Sequence, residues 1–280
     1  MKKFFVQIIM TAIMLFTAAV AQAATNVIEV EGHCATSPYA ATLAQGKLLA
    51  RRGAVVDAYR NLAEYTAGVQ VDSESKVMDM MSVNDIIKTR VSAVIKGAKI
   101  IEEEYSEGDY KVIMQLPIFG EGNSLAEALF GNDNSVPQEF PQPEFYAKTT
   151  VAKTKGSPSS AATVNAIPGL KIQGHFTGVI IDCRGLGLQT AMSPVIKVET
   201  GTPVYGYKNL DKKYIIKNGM AGYTSETENA ERAGARPLII KAVSIDGFCN
   251  PVISCQDADI MLSENQASHF LERCAVVFVK

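Results

Sequence analysis

The chain has no tryptophan and only three histidines, His33, His175 and His269. None of the three stands at i, i+4 from another. A zinc centre needs three or four converging ligands, so no metal site is expected. The G-x-S-x-G nucleophile elbow and the H-E-x-x-H zinc helix are both missing. His33 adjoins Cys34, but adjacency alone does not make a nucleophile and its base. No catalytic residue and no cofactor is therefore assigned. Basic residues are not in excess, 27 against 29 acidic, for a net charge of −2; this argues against general binding of nucleic acid or anionic lipid. Cysteine is sparse and odd in number, at five, so in an oxidising compartment at least one must stay unpaired within a monomer. Apolar residues are not depleted, at 47%, which places the chain among globular proteins rather than disordered ones.

What is present begins with an export signal. Lys2 and Lys3 precede an apolar run from Ile8 to Val20, and Ala21-Gln22-Ala23 has the small-x-small form of a cleavage site. Cleavage is expected after Ala23. The run is short for a bilayer span, which takes about 20 residues. A longer count from Phe4 would instead give an uncleaved anchor. No later segment is long and apolar enough to span, so no transmembrane segment is expected after cleavage. Loss of Lys2 and Lys3 takes the net charge from −2 to −4. The remaining length suits two ordinary domains.

The longest helical period runs from Ala44 to Gly68. One row reads Ala44, Leu48, Arg51, Val55, Ala58, Leu62 and Tyr65, and its neighbour Leu49, Arg52, Val56, Tyr59, Ala63 and Thr66. Together they make a wide apolar stripe suited to lying on a sheet. Arg51 and Arg52 fall on these rows. Either their stems snorkel along the apolar surface, or they form a basic spot for a partner's carboxylate or phosphate.

Around this helix the first domain, residues 24–119, reads as β-α-β-α-β-β with helices on one sheet face. Its elements are a strand at Asn26–Glu31, a loop at Gly32–Thr42, and a half-wet strand at Val69–Val77. A helix opened by a Ser82–Asp85 capping box and closed at Gly97 follows. A hairpin of Lys99–Tyr105 and Tyr110–Phe119 then turns at Ser106–Asp109. In Glu102-Glu103-Glu104 only the outer two converge, as a solvated strand face. Residues 120–174 have linker composition, with a short helix at Ser124–Phe130 and aromatics Phe140 and Phe145 set among prolines.

The second domain, 175–280, is expected to be mixed α/β, giving an α+β fold class for the whole chain. Strands are read at Phe176–Cys183, Leu238–Ile245 and Ala275–Val279, and a hairpin at Pro194–Val198 and Pro203–Tyr207. Helices are read at Ser225–Arg232, Asp257–Glu264 and Gln266–Arg273. Asp182-Cys-Arg-Gly-Leu-Gly-Leu188 follows a buried strand, where open α/β folds keep their sites. Gly185 and Gly187 give G-x-G, but Thr190 stands in place of a third glycine and no helix follows, so a dinucleotide loop is not assigned. Any recognition site in this domain would use Asp182, Arg184, Gly185, Gly187, Met192 and Pro194. Cys249 and Cys255 bracket a loop that a disulfide could close, or all five thiols could stay reduced.

The stretch ARRGAVVDAYRNLAEYTAGVQVDSESKV, with DIIKTRVSAVIKGAKIIEEEY and YKVIMQLPIF, resembles the LPP20 lipoprotein family. That family has relatives among envelope and flagellar accessory proteins of diderm bacteria. TGVIIDCRGLGLQTAMSP and PLIIKAVS resemble the C-terminal region of its longer members. The resemblance implies a periplasmic or envelope location, peripheral attachment to an outer membrane, and a non-enzymatic role in assembly. Its partners would be other envelope proteins or further copies of the chain. The first cysteine is Cys34, not the first residue after the leader, so a lipid anchor is not implied. A periplasmic module holding a small ligand or peptidoglycan fragment in the second domain is the alternative reading.

Overall fold

The computed structural model describes residues 26–133, 135–145 and 174–280. The expected leader and the connector prolines Pro158 and Pro168 lie outside the described residues. Strands and helices are mixed in an α+β arrangement built on three sheets.

In the N-terminal unit β1 (Val27–Ala35) pairs antiparallel with β3 (Asp109–Pro117), which pairs with β2 (Lys99–Ser106). The sheet order is β1-β3-β2. β1 runs past the expected end at Glu31, because Gly32 to Ala35 keep finding partners on β3 from Val112 to Asp109. Glu107 and Gly108 turn the β2–β3 hairpin with positive φ, 51° and 86°, the two-residue geometry that matches strand twist. Tyr110, Val112, Met114 and Leu116 are buried beneath the helix, as alternation predicts.

That helix, α1 (Leu43–Gly68), starts where the Thr42 hydroxyl accepts from the Gln45 N–H. Its buried row keeps Ala58, Leu62 and Thr66 from the expected rows, with Val55 and Tyr59 half-buried, and departs from them in the first half of the helix. Gly46, Ala50, Ala54, Ala58, Leu62 and Thr66 face the sheet, while Leu48, Leu49, Val56 and Tyr65 are exposed. The cause is the close approach of α1 to β1. A Cβ placed on Gly32 would lie 2.3 Å from both the Ala54 carbonyl oxygen and the Ala58 nitrogen. A Cβ on Gly53 would lie 2.3 Å from the Cys34 sulfur. At that spacing only small residues fit between helix and strand, so the larger apolar side chains are turned outward.

The expected strand at Val69–Val77 is instead a turn closed by a bridge between Gln70 and Lys76. The Asp72 carboxylate accepts from the N–H groups of Glu74 and Ser75 and folds the chain back before alternation can find a partner strand. Helix α2 (Val77–Val83) follows, then α3 (Asp85–Lys96). Asn84 caps α3 by accepting from Ile86 and Ile87, and Ser82 bonds back to Met78 within α2, so the cap lies two residues beyond the expected one. Gly97 closes α3 as expected.

The described part of the connector is packed. Helix α4 (Leu125–Phe130) is buried at every described apolar position, and the Phe140 ring stacks on Tyr205 at 6.2 Å. The C-terminal unit holds two four-stranded sheets. One is all parallel, in the order β7 (Gly222–Thr224), β11 (Val276–Val279), β4 (Gly178–Asp182), β8 (Pro237–Lys241). The other runs β6 (Pro203–Tyr205), β5 (Ile196–Val198), β10 (Asn250–Ile253), β9 (Ser244–Asp246). The single strand expected over Leu238–Ile245 divides at Ala242 and Val243, where the chain leaves β4 and joins β10. Between sheets lie α5 (Lys212–Asn218) and α6 (Cys255–Ser268) in sequence. His269, in a left-handed conformation, ends α6, so Gln266–Arg273 is not a second helix. Ser225–Arg232 forms single 3-10 turns at Thr227–Asn229 and Glu231–Ala233, which bury Ala230 and Ala233 against β4 and β11.

The two units share one core. Met192 and Ser193 donate backbone bonds to Gln70 and Val71, at 3.0 and 2.7 Å. Gly120 donates to Ile216 at 2.7 Å, and the Phe119 ring lies against Gly219.

Candidate functional site

Three places gather polar or exposed chemistry: the outer surface of α1, the C-terminal edge of the parallel sheet, and the contact of the connector with α5.

On α1 the two arginines separate. Arg51 reaches along the sheet to β2, where Nε and Nη2 donate to the Glu103 carboxylate at 2.7 and 2.6 Å. The Tyr110 hydroxyl donates to the same carboxylate at 2.7 Å. Arg51 first, and Tyr110 with it, hold Glu103 below the usual carboxylate range. Arg51 is thus a tie between helix and edge strand, not a free basic spot. Arg52 points outward and is exposed, between Leu48 at 63% and Val56 at 68% exposure. Tyr59 donates to the Lys96 carbonyl at 3.3 Å and so joins α1 to α3.

At the far side of the N-terminal sheet, Glu29, Glu31, Glu102 and Glu104 are exposed on the face away from α1. Gln115 donates to Glu29, and Lys111 pairs with Glu31 at 3.1 Å. The carboxylates of Glu31, Glu102 and Glu104 together raise the Lys111 pKa, Glu31 most. His33 sits at the end of this face, 2.9 Å from Asp109, which raises its pKa. His33 is therefore a strand residue, where a loop was expected. His269 meets Glu272 at 3.3 Å, and His175 is exposed. Among the described residues no group of three or more His, Cys, Asp or Glu is placed to hold a metal.

At the end of β4, Asp182 accepts from Arg184 Nε and Nη2 at 2.9 and 2.6 Å and from the Arg184 N–H at 3.1 Å. Arg184 holds the Asp182 carboxyl at about 2. Gly185 and Gly187 both take positive φ, 77° and 75°, with open space above them. With Cys183, Leu188 and Lys280 they line an open cavity of about 410 Å³. The pairing and the glycine turn are as expected, and no helix follows the loop to supply an anion site. Burial pushes the Cys183 thiol up to about 12, which makes it a poor nucleophile. Met192 and Pro194, grouped with this loop by sequence, are buried. The Gln70–Val71 turn already occupies the backbone donors there, so neither residue offers a surface.

Sequence reading missed a third cluster. Lys212 is nearly buried, with Nζ 3.0 Å from the Ser135 carbonyl, in contact with the Ser135 hydroxyl, and 3.4 Å from Asp133. It also stands 5.0 Å from the Tyr207 ring centre, and Tyr207 donates to Asp133 at 2.9 Å. A serine activated by lysine needs a neutral amine. Here a carboxylate held at about 2, chiefly by the Ser135 N–H, supplies an ion pair instead. The cluster latches Asp133 and Ser135 to α5. Lys212 and Asp133 stand nearly eighty residues apart in the chain, so no local signal could have joined them.

All five cysteines are free thiols. Cys249 and Cys255 stand at opposite ends of extended β10, on the order of 13 Å long at strand rise. A disulfide needs Cα atoms within about 7 Å, so of the two readings the loop closure does not form.

A family model describing the second domain of Treponema pallidum Tp0624 matches residues 178–280, from the first residue of β4 to the end of the chain. The match therefore takes in both C-terminal sheets and the Asp182–Leu188 loop. No curated protein matches the chain.

Proposed function

We propose that this chain is an exported, non-enzymatic cell-envelope protein of the LPP20-like kind, acting through protein–protein contacts in envelope or flagellar-type assembly. The observation that carries the reading is the outer face of α1. A helix fastened to its sheet by Gly46, Ala50, Ala54 and Ala58 presents Leu48, Arg52 and Val56 to the outside on a rigid support. Apolar side chains grouped on one exposed face, with an arginine among them, have the composition of contact surfaces. No helix of the described residues is long and apolar enough to cross a membrane. The Tp0624 similarity of the C-terminal unit is compatible with this reading. The test is a photocrosslinking residue placed at Val56 in intact cells. Crosslinks to a defined envelope protein or to the chain itself are expected. Crosslinking no stronger than from an exposed control position on α6, Gln266, would reject the reading.

The cavity beside Gly185 and Gly187 favours a second reading, a periplasmic module that holds a small ligand there. Protection of that loop alone from hydrogen exchange by peptidoglycan fragments would support it, and unchanged exchange would remove it.

A further inference from the structure

Each copy of the N-terminal unit carries two unpartnered faces of opposite character. The outer face of α1 is apolar and basic. From Leu43 to Val56 the helix holds Lys47, Arg51 and Arg52 and no acidic residue, and Arg51 is already paired. Leu48, Leu49 and Val56 surround Arg52, which pairs with no carboxylate among the described residues. The outer face of the sheet is acidic. Glu29, Glu31, Glu102 and Glu104 are exposed on it, with Lys99 at its edge and Lys111 as the cation among the carboxylates. Its apolar content is Ile113 and the half-exposed Ile101 at the β2 bulge.

We infer that the occupant of the acidic sheet face is the α1 face of a second copy of this chain, so that copies join head to tail. The inference rests on the contact-protein reading above and names its partner. Three observations carry it. The signs of the two faces are complementary, and apolar side chains stand on both. The two faces lie on opposite sides of one rigid two-layer unit, so a copy seated on one leaves the other free. The sheet already seats one α1 on its inner face. A second helix on its outer face would complete a helix–sheet–helix sandwich, a standard way to cover both faces of a sheet. A contact between two different faces is heterologous, and repeats into a ring or an open filament rather than stopping at a pair.

The experiment is sedimentation velocity on the full exported chain over a range of concentrations. Two variants alter one face each at exposed positions: Arg52→Glu with Val56→Glu on the helix, and Glu102→Lys with Glu104→Lys on the sheet. The wild type should grow in mass beyond a dimer as concentration rises. Each variant alone should associate at least about tenfold more weakly, since each now sets like charge against like. An equimolar mixture of the two should recover the association that neither variant shows alone, because the intact helix face of one meets the intact sheet face of the other and the two altered faces are again opposite in sign; a mixture that associates no better than the single variants overturns the inference. Thermal melts of both variants report that the fold is kept. A wild type that stays monomeric overturns the inference. So does a helix variant that dissociates while the sheet variant assembles normally, the pattern of a two-fold helix contact, or helix-dependent binding to lipid vesicles by a monomer. If the wild type is monomeric but Val56 still crosslinks to another envelope protein in cells, the self-assembly fails and the contact function stands. If both fail, the function reading goes too.

Discussion

Replacing Gly32 by alanine adds a single methyl group and should unfold the N-terminal unit at a lower temperature. The new carbon would sit 2.3 Å from the Ala54 oxygen and the Ala58 nitrogen and 2.7 Å from the Ala58 Cα. Non-bonded heavy atoms prefer about 3.5–4.0 Å, so α1 or β1 must yield by more than about 1 Å. Neither neighbour is a flexible side chain that can swing aside; all three atoms are backbone inside a 26-residue helix. Lifting the helix would also loosen the contacts of Ala50 and Leu62, which are at most 1% exposed. Overpacking of this kind costs about 1–3 kcal/mol, and rigid walls place it near about 3. An opposing effect exists, since glycine to alanine restricts the unfolded chain and stabilises by about 0.4–1 kcal/mol. The clash wins by about 2 kcal/mol, which for a chain of this size lowers Tm by about 4–8 °C. Gly68, the last residue of α1, provides the control. A Cβ there meets nothing within 4 Å, so Gly68→Ala should raise Tm by removing a flexible helix residue worth up to about 1 kcal/mol. Circular-dichroism melts of the full exported chain at pH 7, with urea titration for ΔG, compare the two. A Gly32→Ala protein as stable as wild type would show that close backbone approach does not determine which face of α1 is buried.

Asp182 and the cysteines give two further tests. Asp182 titrates near 3.8 when unperturbed and at about 2 beside Arg184, so its pairing stabilises the fold fully above about pH 4 and fades as pH falls through 2. Arg184→Met should therefore cost stability at neutral pH, with the gap to wild type closing in acid and the Asp182 carboxyl titrating nearer its ordinary value by NMR; a gap constant from pH 7 to 2 would refute the pairing. For the cysteines, alkylation under native conditions should label Cys34 ahead of the buried Cys183, Cys249, Cys255 and Cys274, and the intact mass should show no disulfide. A Cys249–Cys255 bridge in the mapped peptides would contradict the extended β10.

Much of the fold could be read from local pattern. The long helix, the Glu107–Gly108 hairpin, the buried strands of the parallel sheet and the Asp182–Gly187 turn are each set by neighbours a few residues apart. Period, turn chemistry and short ion pairs act at that range. The α1 face could not be read this way. Apolar period predicts which residues are hydrophobic, whereas burial depends on how near the sheet comes, and that distance is set by Gly32 on another element. The turn at Gln70–Lys76 likewise has a strand's alternation but no partner in reach.

The sequence by itself determined the type of the long helix, the N-terminal hairpin and the buried strands, the α+β class and the expectation of export, because composition, periodicity and a leader pattern are properties of contiguous residues. Only the tertiary structure decided which side of α1 faces solvent, that Arg51 is a tie while Arg52 is exposed, that Met192 and Pro194 are covered, and that Lys212 gathers Asp133 and Ser135. Those outcomes depend on backbone spacing and on contacts between residues far apart in the chain, which have no counterpart in the local pattern of side chains.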